Sequence, residues 1–384
     1  MKPKLKLSLK TPQGRYKMKK KILILANHDV GLYNFRKELL ENLIAEGYDV
    51  FISCPPGENI EKLVKSGCKY LETEFNRHGK NPINELKLIN YYRKIMTKIQ
   101  PDIIFGYTIK PNIYGAIAAK KDNIPFVANI TGLGTAVENS GILQKILIQM
   151  YKFAFSNIQT VFFQNKENSQ FFIDHNIAVE KHELLPGSGV NLDFFYLQDY
   201  PSTDETIDFV FISRIMKEKG IDQYLKAANY ITIKYPYTRF HVCGFCEEEY
   251  EDILEEYHNK GVIIYHGMVN NIRGILKTTH CTIHPTYYPE GLSNVLLESA
   301  ASGRPIISTD RSGTRETIDD GVNGYLVEQK NEKDLIEKIE KFIGLSFENK
   351  KTMGLAGRKK VEREFDRKIV IKKYMEQLEE GAYD

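Results

Sequence analysis

Short apolar runs rich in β-branched residues alternate along this chain with longer stretches whose apolar positions recur at helical spacing. In the first half the short runs fall at Lys21–Asn27, Asp49–Pro55, Lys69–Phe75, Asp102–Thr108, Phe126–Thr131, Thr160–Asn165 and Glu183–Pro186. Between them lie amphipathic stretches such as Pro82–Ile99 and Tyr33–Glu46, where Leu39, Leu40, Leu43 and Ile44 share one helical face. Steady alternation of strand and helix predicts parallel sheets with helices on both faces.

The alternation breaks at Asp199–Asp208, a polar segment with Pro201 and no periodic pattern. It then restarts at Phe209–Ile215, Arg239–Phe245, Val262–Gly267, Cys281–Thr286, Pro305–Asp310 and Tyr325–Glu328, with helical patterns between, notably Ile221–Tyr235 and Asn294–Ser302. Asp366–Glu380 reads as a charged amphipathic helix. The expected fold class is α/β, with two Rossmann-like domains whose parallel sheets face each other across a cleft. The expected division is a basic, disordered tail over 1–17, an N-terminal domain over 18–200, a C-terminal domain over 201–365, and a last helix over 366–384 that crosses back to the first domain. Closure is expected around 199–208. In such sheets ligands bind outside the carboxyl ends of the strands, so chemistry belongs in the loops that follow them.

Composition narrows the class. Of 384 residues, 42% are apolar and 27% charged, ordinary values for a globular protein. The net charge is +3, yet residues 1–21 hold nine Lys or Arg and no acid, which leaves −6 for the rest. That balance argues against a nucleic-acid-binding body and leaves a basic arm suited to anionic lipid. Met18 opens MKKKILILAN, which reads as a natural start. Five cysteines, without an apolar leader, point to reduced thiols and a cytoplasmic location. No run of 18 uncharged apolar residues exists to span a membrane.

The strongest chemical signal is PTYYPEGLSNVLLE, Pro285–Glu298. A strand ends at Pro285, a loop with Gly291 follows, and a helix opens at Ser293 or Asn294, both good N-caps. Such a helix start carries about half a positive elementary charge and free N–H groups, which suit a phosphate. Glu290 precedes the helix and Glu298 lies eight positions on. The second signal is ISRIMKEKGI, Ile212–Ile221. Arg214 and Lys219 there are candidates to neutralise a leaving diphosphate, with Lys217 an alternative by composition.

These motifs together resemble glycosyltransferase family 4. The resemblance rests on SRIMKEKG, EGLSNVLLE, GRPIISTD and GTRETIDDGVNGYLV, and covers nearly the whole chain from Lys20. LILANHDVGLYNFRKEL, TIKPNIYGAIAAK, NITGLGTAVEN and VFFQNKEN resemble the bacterial capsule, exopolysaccharide and O-antigen branch. The resemblance implies the two-domain glycosyltransferase B fold and a retaining enzyme. It implies transfer of a hexose or N-acetylhexosamine from a UDP-sugar to an undecaprenyl-diphosphate-linked saccharide, at the inner face of the membrane, without metal or other cofactor. Glu290, Arg214 and Lys219 would be catalytic. Gly291, Leu292, Ser293 and Asn294 would offer backbone donors near the diphosphate and sugar, and Glu298 would bind the ribose. His266 and Met268 would line the base pocket, and Gly31 would approach the donor from the facing domain. Asn27, His28, Arg36, Lys110, Asn112 and Thr131 would serve the acceptor. Many members carry His where this chain reads Asn129-Ile130-Thr131-Gly132. Thr131 does no acid–base work near neutral pH, which fits a front-face reaction in which the leaving diphosphate oxygen takes the acceptor proton.

Other signals carry less. Cys243-Gly244-Phe245-Cys246 has no second pair for a zinc site. Neither Gly132-Leu133-Gly134 nor Gly187-Ser188-Gly189 completes a dinucleotide fingerprint. The Gly141–Ser156 helix alternates Leu143, Ile146, Leu147 and Met150 with Gln144, Lys145, Gln149 and Lys152, a pattern suited either to packing on its own sheet or to lying on a bilayer. A sugar-nucleotide 2-epimerase of the same fold and a non-catalytic assembly scaffold are the rival readings.

Overall fold

The computed structural model describes residues 20–73, 82–134, 137, 141–202 and 205–380. The expected tail over 1–17 and the end of the Lys69–Phe75 run lie outside them. Strands β1 (Lys21–Leu25), β2 (Asp49–Cys54), β3 (Lys69–Glu72), β4 (Ile103–Tyr107), β5 (Phe126–Ile130), β6 (Thr160–Phe163) and β7 (His182–Leu184) form a sheet in the order β3-β2-β1-β4-β5-β6-β7. Strands β8 (Ile207–Ile212), β9 (Thr238–Cys243), β10 (Ile264–Tyr265), β11 (Cys281–His284), β12 (Ile306–Thr309) and β13 (Gly324–Val327) form a second, ordered β10-β9-β8-β11-β12-β13. The β1–β4 and β8–β11 neighbours, like the rest, pair in parallel. The central strands are apolar without alternation, and Ile22–Leu25 are wholly buried, because helices cover both faces. The two Rossmann-like domains of the glycosyltransferase B arrangement are thus present.

Helices fill the crossovers: α1 (Asp29–Ala45), α2 (Ile60–Lys65), α3 (Pro82–Ile99), α4 (Ile109–Lys120), α5 (Ile142–Ala154) and α6 (Lys166–Asp174) in the first half. In the second are α7 (Ile221–Lys234), α8 (Glu251–Asn259), α9 (Ile272–Thr278), α10 (Asn294–Ala301), α11 (Glu332–Ile343), α12 (Phe347–Glu364) and α13 (Arg367–Glu380). Leu32, Leu39, Leu40 and Leu43 of α1 pack on Ile22, Ile24 and Ile52. Val370, Tyr374 and Leu378 of α13 join the same cluster, so the last helix belongs to the N-terminal core. The Tyr374 ring lies 5.1 Å from Phe105 and 5.2 Å from Phe162, and its hydroxyl is 3.0 Å from that of Tyr107. Truncating so large a buried ring costs about 3–5 kcal/mol.

The domain crossing differs from the expected one. Leu185 packs in the N-terminal core, whereas Val190, Leu192 and Phe195 pack with Leu292, Leu296 and Ala300 of the C-terminal domain. The chain therefore changes domain within 186–189, not at 199–208. It returns at Phe365–Arg367, where Val190 N–H donates to Phe365 O (2.8 Å) and Arg367 N–H to Val190 O (3.0 Å). Ile207 and Asp208, at the end of the polar segment, already belong to β8 and are buried. Earlier in the same stretch, Tyr200 donates to His280 O at 2.9 Å.

Helix α5 has two apolar faces. Ile148, Tyr151 and Ala154 are buried, while Ile142, Leu143, Ile146 and Phe153 are exposed. All five cysteines are free thiols. Burial pushes the Cys243 thiol up to about 12, the reverse of what a reactive dithiol needs.

Candidate functional site

Both sheets reverse strand order at an inner strand, β1/β4 in one and β8/β11 in the other. The loops that follow these strands converge on a cavity of about 510 Å³ between the domains. Asn27, His28 and Gly31 enter it from β1, Thr108 and Lys110 from β4, Thr131 from β5 and Gln164 from β6. Arg214 and Lys219 enter after β8, and Tyr288 through Leu292 with Asn294 after β11.

Lys219 ends a single 3-10 turn, Lys217–Lys219, and is 7% exposed. Gly220 follows with φ +80°, and a Cβ there would stand 2.1 Å from Pro285 O. Only glycine lets the loop after β8 come this close to the loop after β11. Tyr287 N–H then donates to Glu218 O at 2.8 Å. The result places the Lys219 ammonium in direct contact with the Glu290 carboxylate. Lys217 is exposed, so the structure distinguishes the two lysines.

Burial alone would raise the Glu290 carboxyl, but the Lys219 charge, with His284 behind it, holds it well below the usual carboxylate range. His284 Nε2 is 3.8 Å from Glu290 Oε1. Burial lowers the His284 pKa, against the opposing pull of Glu290. Arg214 is half-buried and hydrogen-bonds Glu247. Its guanidinium lies 5.5 Å from the Tyr288 ring centre, and Lys219 Nζ lies 4.8 Å from the same ring. Tyr288 thus carries two cations on its π-system, an attraction of about 0.5–1 kcal/mol for each at exposed sites.

Helix α10 begins at the cavity edge. Ser293 is its N-cap residue, but its side chain makes no capping bond. The Ser293 N–H is already used, donating to Gly313 O at 2.8 Å, so it is not among the free amides the sequence suggested. Asn294 accepts from Ser188 across the domain crossing.

On the facing domain, His28 caps α1 by accepting the Gly31 N–H on Nδ1 at 2.9 Å. Arg36 is 4% exposed and sits 5.0 Å from the Tyr107 ring centre. Lys110 pairs with Glu85 at 2.8 Å. His28, Arg36 and Lys110 line the cavity with Asn27 and Thr131. Asn112 does not. It is buried behind the wall, donating to Asn129 O at 2.9 Å.

Besides Ser293, three donor-side candidates stand off the cavity. His266 Nε2 is 2.9 Å from His241 Nδ1, whose Nε2 is 2.9 Å from Asp208. Met268 is 68% exposed. Glu298 lies inside α10, where burial pushes its carboxyl up to about 7 despite the opposing charge of Arg367. Sequence reasoning missed His284, Tyr288, Gln164 and Asn165. Tyr288 stood inside the quoted PTYYPEG motif, and Asn165 inside VFFQNKEN.

The arrangement has a definite chemical capacity. Two cations and a helix start face an ionised carboxylate inside a cleft closed by both domains. Such a site can hold a diphosphate at one end and favour positive charge on a sugar ring beside it.

Sequence comparison agrees with this geometry. The profile of glycosyl transferases group 1 matches residues 195–360, and that of glycosyl transferase 4-like proteins matches residues 21–165. The chain is similar to N,N'-diacetylbacillosaminyl-diphospho-undecaprenol alpha-1,3-N-acetylgalactosaminyltransferase of Campylobacter jejuni, at 27% identity over 83% of this chain and 88% of that protein. It is also similar to the capsular polysaccharide biosynthesis glycosyltransferase CapM of Staphylococcus aureus, at 26% identity over 75% and 79%. Among solved structures, a glycosyltransferase from Rickettsia africae superposes with a TM-score of 0.80 at 20% identity, over 96% of this chain and all of that one. Anabaena Alr3699/HepE in complex with UDP and glucose gives 0.76 at 18% identity, over 94% and 99%.

Proposed function

We propose, from the premise that this chain is a glycosyltransferase of the family-4, two-Rossmann-domain type acting in bacterial surface polysaccharide synthesis, that it moves a hexose or N-acetylhexosamine from a UDP-sugar to a saccharide carried on undecaprenyl diphosphate. The observation that carries this reading is the contact of Lys219 with Glu290 in the inter-domain cavity, beside Arg214 and the start of α10. The C. jejuni relative's name specifies a diphospho-undecaprenol acceptor, and HepE holds UDP.

In this account the bond between the anomeric carbon and the UDP diphosphate oxygen breaks as negative charge gathers on the diphosphate. Arg214, Lys219 and the α10 start receive that charge, a task for which no divalent ion is needed. Glu290, ionised at neutral pH, faces the ring as it becomes positive. The acceptor hydroxyl attacks from the same face and its proton passes to the departing phosphate oxygen, so configuration is retained. Removing one preorganised contact of this kind costs on the order of 10²–10³ in rate. The exposed Ile142, Leu143, Ile146 and Phe153 of α5, with Lys145 and Lys152 beside them, suit an interfacial contact that brings the cavity to a lipid-borne acceptor.

The test is a panel of UDP-sugars offered with undecaprenyl-diphosphate-linked mono- and disaccharides, read by mass spectrometry. One added hexose or N-acetylhexosamine in α linkage supports the reading. A donor other than a UDP-sugar, or a β-linked product from an α-linked donor, contradicts it.

A further inference from the structure

We propose that Asn165 is a positioning residue that couples closure of the two domains to the placement of Glu290. The inference rests on the glycosyl-transfer reading and goes beyond it. Asn165 follows β6 in the N-terminal domain and is 3% exposed. Its Oδ1 accepts the Asn168 N–H at 2.8 Å and caps α6. With the amide oxygen committed to the cap, the NH2 group must point the other way. It points across the cleft, donating to Gly291 O at 2.6 Å and to Glu290 O at 3.2 Å. These carbonyls belong to the two peptide units directly after the Glu290 side chain.

The approach admits nothing larger than it holds. A Cβ on Gly291 would lie 2.2 Å from Gln164 Oε1 and 2.7 Å from Thr131 O, both in the facing domain. The C-terminal domain grips the same loop from behind, through the Ser293 N–H bond to Gly313 O. The Glu290 carboxylate meets Lys219 within its own domain, but its backbone is pinned from both sides only when the cleft is shut. Asn165 never touches the carboxylate. It fixes the peptide that aims it. Small misplacement of a reacting group costs about a hundredfold in rate, so a bond that sets this peptide governs turnover more than donor binding.

Two substitutions separate latch from cap. Asp and Ser both cap helices as well as Asn. Asn165→Ser keeps the cap and removes the amide NH2 that reaches the two carbonyls. Asn165→Asp keeps the cap and turns an oxygen onto two carbonyl oxygens. Expected kcat losses are about tenfold for Asn165→Ser and about a hundredfold for Asn165→Asp, with the KM for UDP-sugar changed by less than about threefold. Hydrogen exchange read by mass spectrometry should quicken in peptides spanning 286–296 and stay unchanged in 166–174. Turnover within twofold of wild type in both variants overturns the proposal. So does loss of turnover accompanied by faster exchange in 166–174, which would assign Asn165 to the cap alone. If the wild-type protein transfers no sugar from any UDP donor, the glycosyl-transfer reading fails by itself. The latch then stands or falls on exchange at 286–296 in Asn165→Asp.

Discussion

Lys219 and Glu290 meet directly inside the cleft although 71 positions separate them in the chain. Neither side chain reaches bulk water to any extent, at 9% and 13% exposure. A buried charge without its partner is expensive, and breaking such a pair typically costs 3–5 kcal/mol. Lys219 therefore holds the Glu290 carboxyl in its ionised form.

Removing the cation should change the titration of the acid. With Lys219 gone, only His284 is left to oppose burial at Glu290, and the carboxyl pKa rises. We expect Lys219→Ala to lower kcat/KM by about 10²–10³ and to move the acid limb of the kcat profile upward toward neutrality. The sign follows from the pair: Glu290 is depressed now, so wild-type activity persists to lower pH. A pH–rate profile for both proteins checks this, and an unmoved acid limb contradicts it.

Glu290→Gln conserves shape and one acceptor oxygen while removing the charge. Transfer should fall by about 10²–10³, with UDP affinity nearly unchanged in titration calorimetry. Near-wild-type turnover in a folded Glu290→Gln protein would remove Glu290 from the reaction.

Glu298 gives a stability test with the opposite sign. Its folded pKa, about 7, exceeds the ordinary carboxyl value of 4.5. Its ionisation therefore costs the folded state nothing below pH 4.5 and progressively more as pH rises to 7. Thermal melts should show wild type losing ground to Glu298→Gln between pH 4.5 and pH 7.5, by about 2–3 kcal/mol on the order of the shift. Parallel curves would mean that the carboxyl titrates normally.

The outward face of α5 makes a separable prediction. Ile146→Asp with Phe153→Asp should abolish co-sedimentation with anionic phospholipid vesicles and leave transfer to a soluble acceptor analogue intact. Met150 is unsuitable for this test, because it packs against the core. Equal sedimentation of wild type and variant would assign the face elsewhere.

Much of this architecture was legible in the chain itself. Strands buried on both faces, such as Phe209–Ile212, read as continuous apolar runs, and the loops bearing Arg214, Lys219 and Glu290 follow directly from them. What eluded the sequence was whatever depends on tertiary partners. Asn112 looks like a cleft residue until Asn129 is seen to take its amide. The polar stretch 199–208 resembles a linker, yet the crossing lies where Leu185 and Val190 choose different cores. Asn165 is an ordinary N-cap in sequence, and its second role exists only because the other domain stands 2.6 Å away.

Everything proposed for this cleft turns on Arg214, Lys219 and the amide-bearing start of α10 receiving the diphosphate. A crystal structure of the UDP complex tests it most directly. Both phosphates should lie within hydrogen-bond distance of the two cations and of the Gly291–Asn294 segment. A nucleotide bound away from that segment, or one anchored through a divalent ion, would contradict it.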